Sequence, residues 1–197
     1  MDEKSNDRIR VMEIVNRSQY NDEVIDQVDM SDLDLNFSDL SEVMARRIMA
    51  KRVVLRASSL MRAAFHDCDF ELADFRSCNL EEINMADCRF GEADFSHGEL
   101  VGTILNHATF RHANLSGIDA EQADCTGTDS SGANLTDGKF EKAHLENVNL
   151  SEVDARNANF TEADFTGAKL DNVVWTGVNV EGAKFDENVK EQVLKMI

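Results

Sequence analysis

Hydrophobic positions in this chain recur every five residues. Of the 31 positions divisible by five between Leu35 and Phe185, all but Ser130 are apolar, where a 42% hydrophobic content would place about 13. Ten of the 11 Phe residues fall in this register, and Phe37 is the one outside it. Two positions before each stands a small or β-branched residue, such as Ala63, Cys68, Ala73, Cys78, Ile83 and Cys88. Leu33 is the one larger occupant of that slot, and no occupant is charged. The position in between is Asp or Asn in 17 of 31 units. The repeating unit is therefore a small residue, an Asp or Asn, a Leu or Phe, and two variable residues. Val28-Asp29-Met30 extends it backwards.

A period of five fits neither an α-helix at 3.6 nor a strand at 2. It needs a chain that turns a corner every five residues. The small and the large residue then point inward, and the other three face water. Four such sides close a square coil of twenty residues, and stacked coils pair backbone to backbone at about 4.8 Å. Seven of the ten Gly sit at the last position of the unit, among them Gly117, Gly127 and Gly167. Glycine there supplies corner dihedrals that other residues resist. The chain has no Pro, where about 5% is usual, which suits a backbone whose N–H groups are nearly all committed.

Ala73-Asp74-Phe75, Ala93-Asp94-Phe95, Ala113-Asn114-Leu115, Ala133-Asn134-Leu135 and Ala163-Asp164-Phe165 are clear examples of the unit. The repeat resembles the pentapeptide-repeat protein family over roughly four-fifths of the chain. The resemblance implies an all-β solenoid in the form of a right-handed quadrilateral β-helix. The 32 units from Asp26 to about Glu187 then make about 8 coils, about 38 Å long at the sheet spacing.

A solenoid has two raw ends that need caps. Residues 1–27 are expected to form an N-terminal helical cap. Ile9, Val11, Met12, Ile14 and Val15 give its apolar cluster, and Asn6 or Asp7 would be its N-cap. Residues 28–187 form the β-helix. Residues 188–197 are expected to form a short capping helix, with Asn188-x-x-Glu191 resembling a capping box. Its apolar stripe, Val189, Val193, Leu194 and Ile197, can close the last coil or form a dimer contact. The resemblance raises the second option, because some family members associate through their C-terminal ends.

Composition narrows the function. The N-terminus MDEKSNDRIR has no apolar core of a secretory leader, and no apolar run is long enough to span a bilayer. Four Cys without such a leader fit reduced thiols in a cytoplasm. Cys68, Cys78, Cys88 and Cys125 all occupy inward slots, which points to core thiols. The five His, at 66, 97, 107, 112 and 144, are all outward, and no nucleophile stands at a motif spacing from them. There is no phosphate loop, HExxH or GxSxG. We therefore expect no catalytic residues, no metal and no cofactor.

A net charge of -18 argues against direct binding to nucleic acid or anionic membrane, since like charges repel. Between residues 29 and 187, 30 acidic residues face 14 basic ones, a net -16. Over the expected length that is one charge per ~2.4 Å, against ~1.7 Å for duplex DNA. The side of Leu40, Leu60 and Leu80 carries Asp39, Glu42, Glu81, Glu82, Glu99, Asp119, Glu121, Glu141, Glu162 and Glu181 against Arg62, Lys139 and Lys142, a net -7. The other sides are -2 to -4. A straight acidic rod can mimic DNA toward a DNA-binding protein. The resemblance names one, DNA gyrase, which quinolone-resistance members and the mycobacterial fluoroquinolone-resistance member bind as DNA mimics. The first group carries loops that interrupt the repeat; this chain has none, and neither has the mycobacterial type.

The competing class is an interaction scaffold for an unrelated protein partner. It rests on VMARRIMAKRVVLRASSLMRAAF at 43–65, which has six cations and no acid. The stretch has helix-forming residues, yet its inward slots keep the repeat, so a coil is expected. Its outside departs from the rule, with Met44, Met49, Val54 and Met61 exposed among Arg46, Arg47, Lys51 and Arg52. An exposed apolar patch marks a contact. The first candidate to cover it is the N-terminal helix, with Glu13, Asp22, Glu23 and Asp26. Another subunit or a partner protein is the second.

Overall fold

The computed structural model describes residues 3–196. The Asx position of each unit bridges in parallel to the residue twenty places on, as in Asp34 with Val54, Asp74 with Asp94 and Glu99 with Asp119. The pairing starts at Ile25 with Ala45 and runs to Asp164 with Lys184. A constant offset of twenty means four units per coil and about eight coils in all. Among the described residues, only β1 (Ile25–Asp26), β2 (Met44–Arg46) and β3 (Ala64–His66) are more than single bridges; they pair in the order β1-β2-β3. Elsewhere a corner follows too soon for a ladder to grow. The first rung thus begins at Ile25, ahead of the boundary expected at residue 28.

Each unit makes the same backbone bonds. In the coil around Leu55, its N–H donates to the Asp74 carbonyl at 2.8 Å, the Ala57 N–H to Arg76 at 3.0 Å, and the Asp74 N–H to Val53 at 2.9 Å. The corner is a β-turn, closed for example by the Ala93 N–H to the Phe90 carbonyl at 3.1 Å. Among the described residues, the last residue of the unit has positive φ, near +50 to +75°, at seven Gly and also at 25 other residues. This is the turn type that requires a left-handed residue at its second central position. The Asx side chain braces the same corner. Its Oδ1 accepts the N–H two residues on, as in Asp94 to Ser96 at 2.9 Å and Asn134 to Thr136 at 3.1 Å. That local bond explains the preference for Asp or Asn just before the turn.

The large residues fill the coil in two aromatic columns. Phe70 stacks on Phe90 at 5.5 Å, Phe75 on Phe95 at 4.6 Å and Phe90 on Phe110 at 4.8 Å. A second column stacks Phe140 on Phe160 at 5.0 Å and Phe165 on Phe185 at 4.8 Å, with Trp175 edge-on. Between them the central slots hold Leu115, Ala120, Cys125, Ser130 and Leu135. All four Cys are buried, free thiols.

Helix α1 (Glu3–Asn21) places Val11 and Val15 in the same core as the first coil, with Met12 and Ile14 packed at its edge. Gln19 donates from Nε2 to the Ser41 carbonyl at 3.0 Å. Two expectations for this helix change. Asn6 and Asp7 lie inside it rather than at its cap, because the helix already includes Glu3. Ile9 is 49% exposed; two residues before Val11, it lies on the far side of the helix.

Helix α2 (Glu187–Val193) starts two residues earlier than a cap at Asn188 implies. Asp186 takes the cap position: its carbonyl accepts the Val189 and Lys190 N–H groups at 2.9 and 3.1 Å. Its carboxylate accepts the otherwise orphaned Gly167 N–H at 3.0 Å. Val193 is buried in the core and Val189 packs against it.

Candidate functional site

The acidic side is one unbroken bridge ladder through Asp39, Ser59, Asn79, Glu99, Asp119, Lys139, Asn159 and Asn179. Glu81, Glu82, Glu99, Asp119, Glu121, Glu141 and Glu162 therefore share one side. Glu82, Glu99 and Glu162 are exposed, and the other four are half-buried. Asp119 accepts a bond from Lys139 Nζ at 3.0 Å and, more weakly, from the Glu121 N–H. The Asp119 bond holds the Lys139 ammonium above its ordinary range. Glu141 Oε1 accepts from Asn159 Nδ2 at 2.5 Å. Among the described residues, Glu81, Glu82, Glu99, Glu121 and Glu162 form no salt bridge. Glu99 and Asp119 face each other across one rung, and so do Glu121 and Glu141, with the Gln122 N–H bonded to the Glu141 carbonyl between coils. The centre of this side, coils with Glu81 to Glu121, is a continuous carboxylate patch.

The basic coil is a coil, and its charges are neutralised from the coils on either side. Arg46 and Arg47 both bond Asp26. Arg52 forms two 2.7 Å bonds to Asp32, Lys51 reaches Glu71 at 2.6 Å and Asp69 at 3.2 Å, Arg56 reaches Asp74 and Arg62 reaches Glu42. The bonds to Asp26, to Glu71 and Asp69, and to Asp32 raise the Arg47, Lys51 and Arg52 side chains above their ordinary values. These partners stand mostly twenty residues away, an offset that the coil length predicts and that sequence reading left unused. Asp69 is the most enclosed of them. Burial works to raise its carboxyl, but the Glu71 N–H, Arg89 and Lys51 outweigh it and hold the group below the usual carboxylate range.

The expectation that α1 covers 43–65 is overturned. Its apolar face is used on the open end of the first coil, and one helix cannot serve both places. Of Glu13, Asp22, Glu23 and Asp26, only Asp26, which belongs to β1, bonds the basic coil among the described residues. Met49 stays 52% exposed and Met44 37% exposed, while Val54 and Met61 are half-buried. At the C-terminal end, Leu194 is exposed, whereas Val193 and Val189 turn to the chain's own core. Ile197 lies outside the described residues. No three His, Cys, Asp or Glu side chains among the described residues are grouped to hold a metal ion. No described helix is long and apolar enough to cross a membrane.

The sequence matches the family model for pentapeptide repeats over residues 73–174 in four overlapping stretches, more than half of the chain. No curated protein matches it. Among solved structures it resembles a trypsin-treated variant of QnrB1, a plasmid-mediated fluoroquinolone resistance protein, at 24% identity and a TM-score of 0.79 over 91% of both chains. A second QnrB1 variant aligns at 20% identity and a TM-score of 0.67, over 87% of this chain and 94% of that one. HetL from the cyanobacterium Nostoc sp. strain PCC 7120, a pentapeptide repeat protein involved in heterocyst differentiation regulation, aligns at 18% identity and a TM-score of 0.58, over 89% and 97%. At these identities the likeness establishes the solenoid fold. The chain belongs to the pentapeptide-repeat family.

Proposed function

We propose that this pentapeptide-repeat protein is a non-catalytic binding solenoid whose acidic side stands in for duplex DNA before a type II topoisomerase, with DNA gyrase the named candidate. The observation that carries the reading is the patch of Glu81, Glu82, Glu99, Asp119 and Glu121. It crosses three adjacent rungs at about 4.8 Å per rung, and only Asp119 of the five has a cation partner among the described residues. In the proposed form the molecule is a right-handed quadrilateral β-helix with helical caps, working in a bacterial cytoplasm. The fluoroquinolone-resistance description of QnrB1 supports a gyrase partner for a chain of the same fold. The exposed Leu194 is the proposed contact of a homodimer, since Val189 and Val193 are taken up by the chain's own core.

The test is a gyrase supercoiling assay with and without a quinolone. The protein should inhibit supercoiling or protect it at micromolar concentration. Glu81→Lys, Glu82→Lys, Glu99→Lys and Glu162→Lys together should remove that effect and leave thermal unfolding close to wild type, because none of the four side chains braces a corner. Activity that survives this reversal would reduce the acidic side to a solvated surface. A second reading, a scaffold for another protein, is favoured by the exposure of Met44 and Met49. A pull-down lost on Met44→Asp with Met49→Asp, in a protein inert toward gyrase, selects it.

A further inference from the structure

We infer that the centre of the solenoid holds one buried water molecule, bound between the hydroxyls of Thr128 and Ser130. The site lies in the gap between the two aromatic columns. There Ala120, Cys125 and Ser130 fill three consecutive central slots that elsewhere hold Leu, Phe or Met far more often. These small residues leave an internal cavity lined by Leu100, Leu105, Phe110, Leu135 and Phe140 and by Cys125, Thr128 and Ser130. The space open to the centre of a water molecule is about 20 Å³. That exceeds the ~10–15 Å³ a single water needs and is too little for a chain of them.

The walls are not all apolar. Thr128 is 2% exposed, and its Oγ1 has no hydrogen-bond partner among the described protein atoms. Two buried hydroxyls at the same slot in other coils are satisfied: Thr103 Oγ1 donates to the Leu100 carbonyl at 2.9 Å, and Ser58 Oγ to the Leu35 carbonyl at 3.0 Å. Ser18 and Ser38 also carry unpartnered hydroxyls, but neither lines this cavity. Ser130, 6% exposed, is the one polar residue in the central register. Burial pushes the Cys125 thiol up to about 12, so it stays a neutral weak donor. A water in the cavity has two hydroxyls and a thiol around it, within the two to four partners that buried waters use. It satisfies the Thr128 hydroxyl that the fold leaves alone. The cavity lies behind Asp119, Ala120 and Glu121, so the water would support the inner wall of the acidic patch, although its presence does not depend on the function proposed for that patch.

The test joins crystallography of the full chain with thermal unfolding. A high-resolution crystal structure should show density within hydrogen-bond distance of Thr128 Oγ1 and Ser130 Oγ. Thr128→Val keeps the shape and removes the hydroxyl, and it should lower Tm by about 2–4 °C. Ser130→Ala should shift Tm in the same direction. If the cavity is dry, replacing an orphaned hydroxyl by a methyl is neutral or stabilising, so an unchanged or raised Tm for Thr128→Val overturns the inference. So does a wild-type crystal in which the cavity shows no density, or takes up xenon under pressure; this arm decides the matter even if the variants fold poorly.

Discussion

The corner residue carries much of the local cost of this fold. Every unit places its last residue in the left-handed region, which disfavours side chains with a Cβ. Asp, Asn and His tolerate it best, and they recur there, as at Asp87, His97, His107, His112 and Asn147. Glycine enters for a second reason in several of these ladders, over His97, His107, His112 and Asn147 among others. A Cβ on Gly117 would stand 2.7 Å from His97 Nδ1, and one on Gly127 would stand 2.6 Å from His107 Nδ1. The imidazole of one coil lies where the next coil has no side chain. Gly127→Ala should therefore destabilise by about 1–2 kcal/mol, read by denaturant unfolding. Adding His107→Ala should return only part of that, because the positive φ remains. The paired carboxylates act on pH dependence. Asp69 is held low as described, and Asp154 is held low first by its Arg156 bonds and then by the Arg156 N–H, against burial. A depressed carboxyl contributes stability above its unfolded value, near 3.9, and loses it as pH falls through the folded value. Tm should thus hold level from neutral pH to about 5 and fall below about 4. Asp69→Asn should blunt that acid limb.

The coil is the element, and its two layers differ in what they tolerate. Inside, each Phe touches the coil above and below, so Phe90, stacked on Phe70 and Phe110, is a costly site. Phe90→Ala should lose about 3–5 kcal/mol of unfolding free energy in a denaturant titration. Outside, Met49→Asp should leave Tm within about a degree or two, since exposed substitutions fall within about 0.5 kcal/mol. The twenty-residue coil, its inward slots and its corner glycines were legible in the repeat, because a period of five in the core forces them. The ends of the rod were less legible. Val11 and Val15 signal a helix, but the repeat says nothing about where that helix docks. The basic look of 43–65 misled for the same reason: Asp26, Asp32, Glu42 and Glu71 lie far along the chain and one rung away in space.

At the scale of the whole molecule, charge and ends matter most. The cations of 43–65 are paired, while the carboxylates between Glu81 and Glu121 are mostly bare, so one side carries the largest share of the net charge, -7 of -16. Binding through that side should weaken steeply as salt rises from about 0.05 to 0.2 M, since a shorter Debye length screens the attraction to a partner's cations. A partner held by Met44 and Met49 would show little salt dependence. Removal of residues 1–22 should lower Tm and promote self-association, because it strips Val11 and Val15 from the first coil and bares the unpaired edge of β1. The sequence alone determined the solenoid, the coil length, the inward residues and the side on which acid gathers. A repeat that pairs each residue with its successor twenty places on leaves no other way to bury the apolar beat. Only the tertiary structure decided which charges are neutralised, where α1 is used and that the core has a gap behind Asp119. Those depend on side chains meeting across rungs and at raw ends, where distance in space and distance along the chain part company.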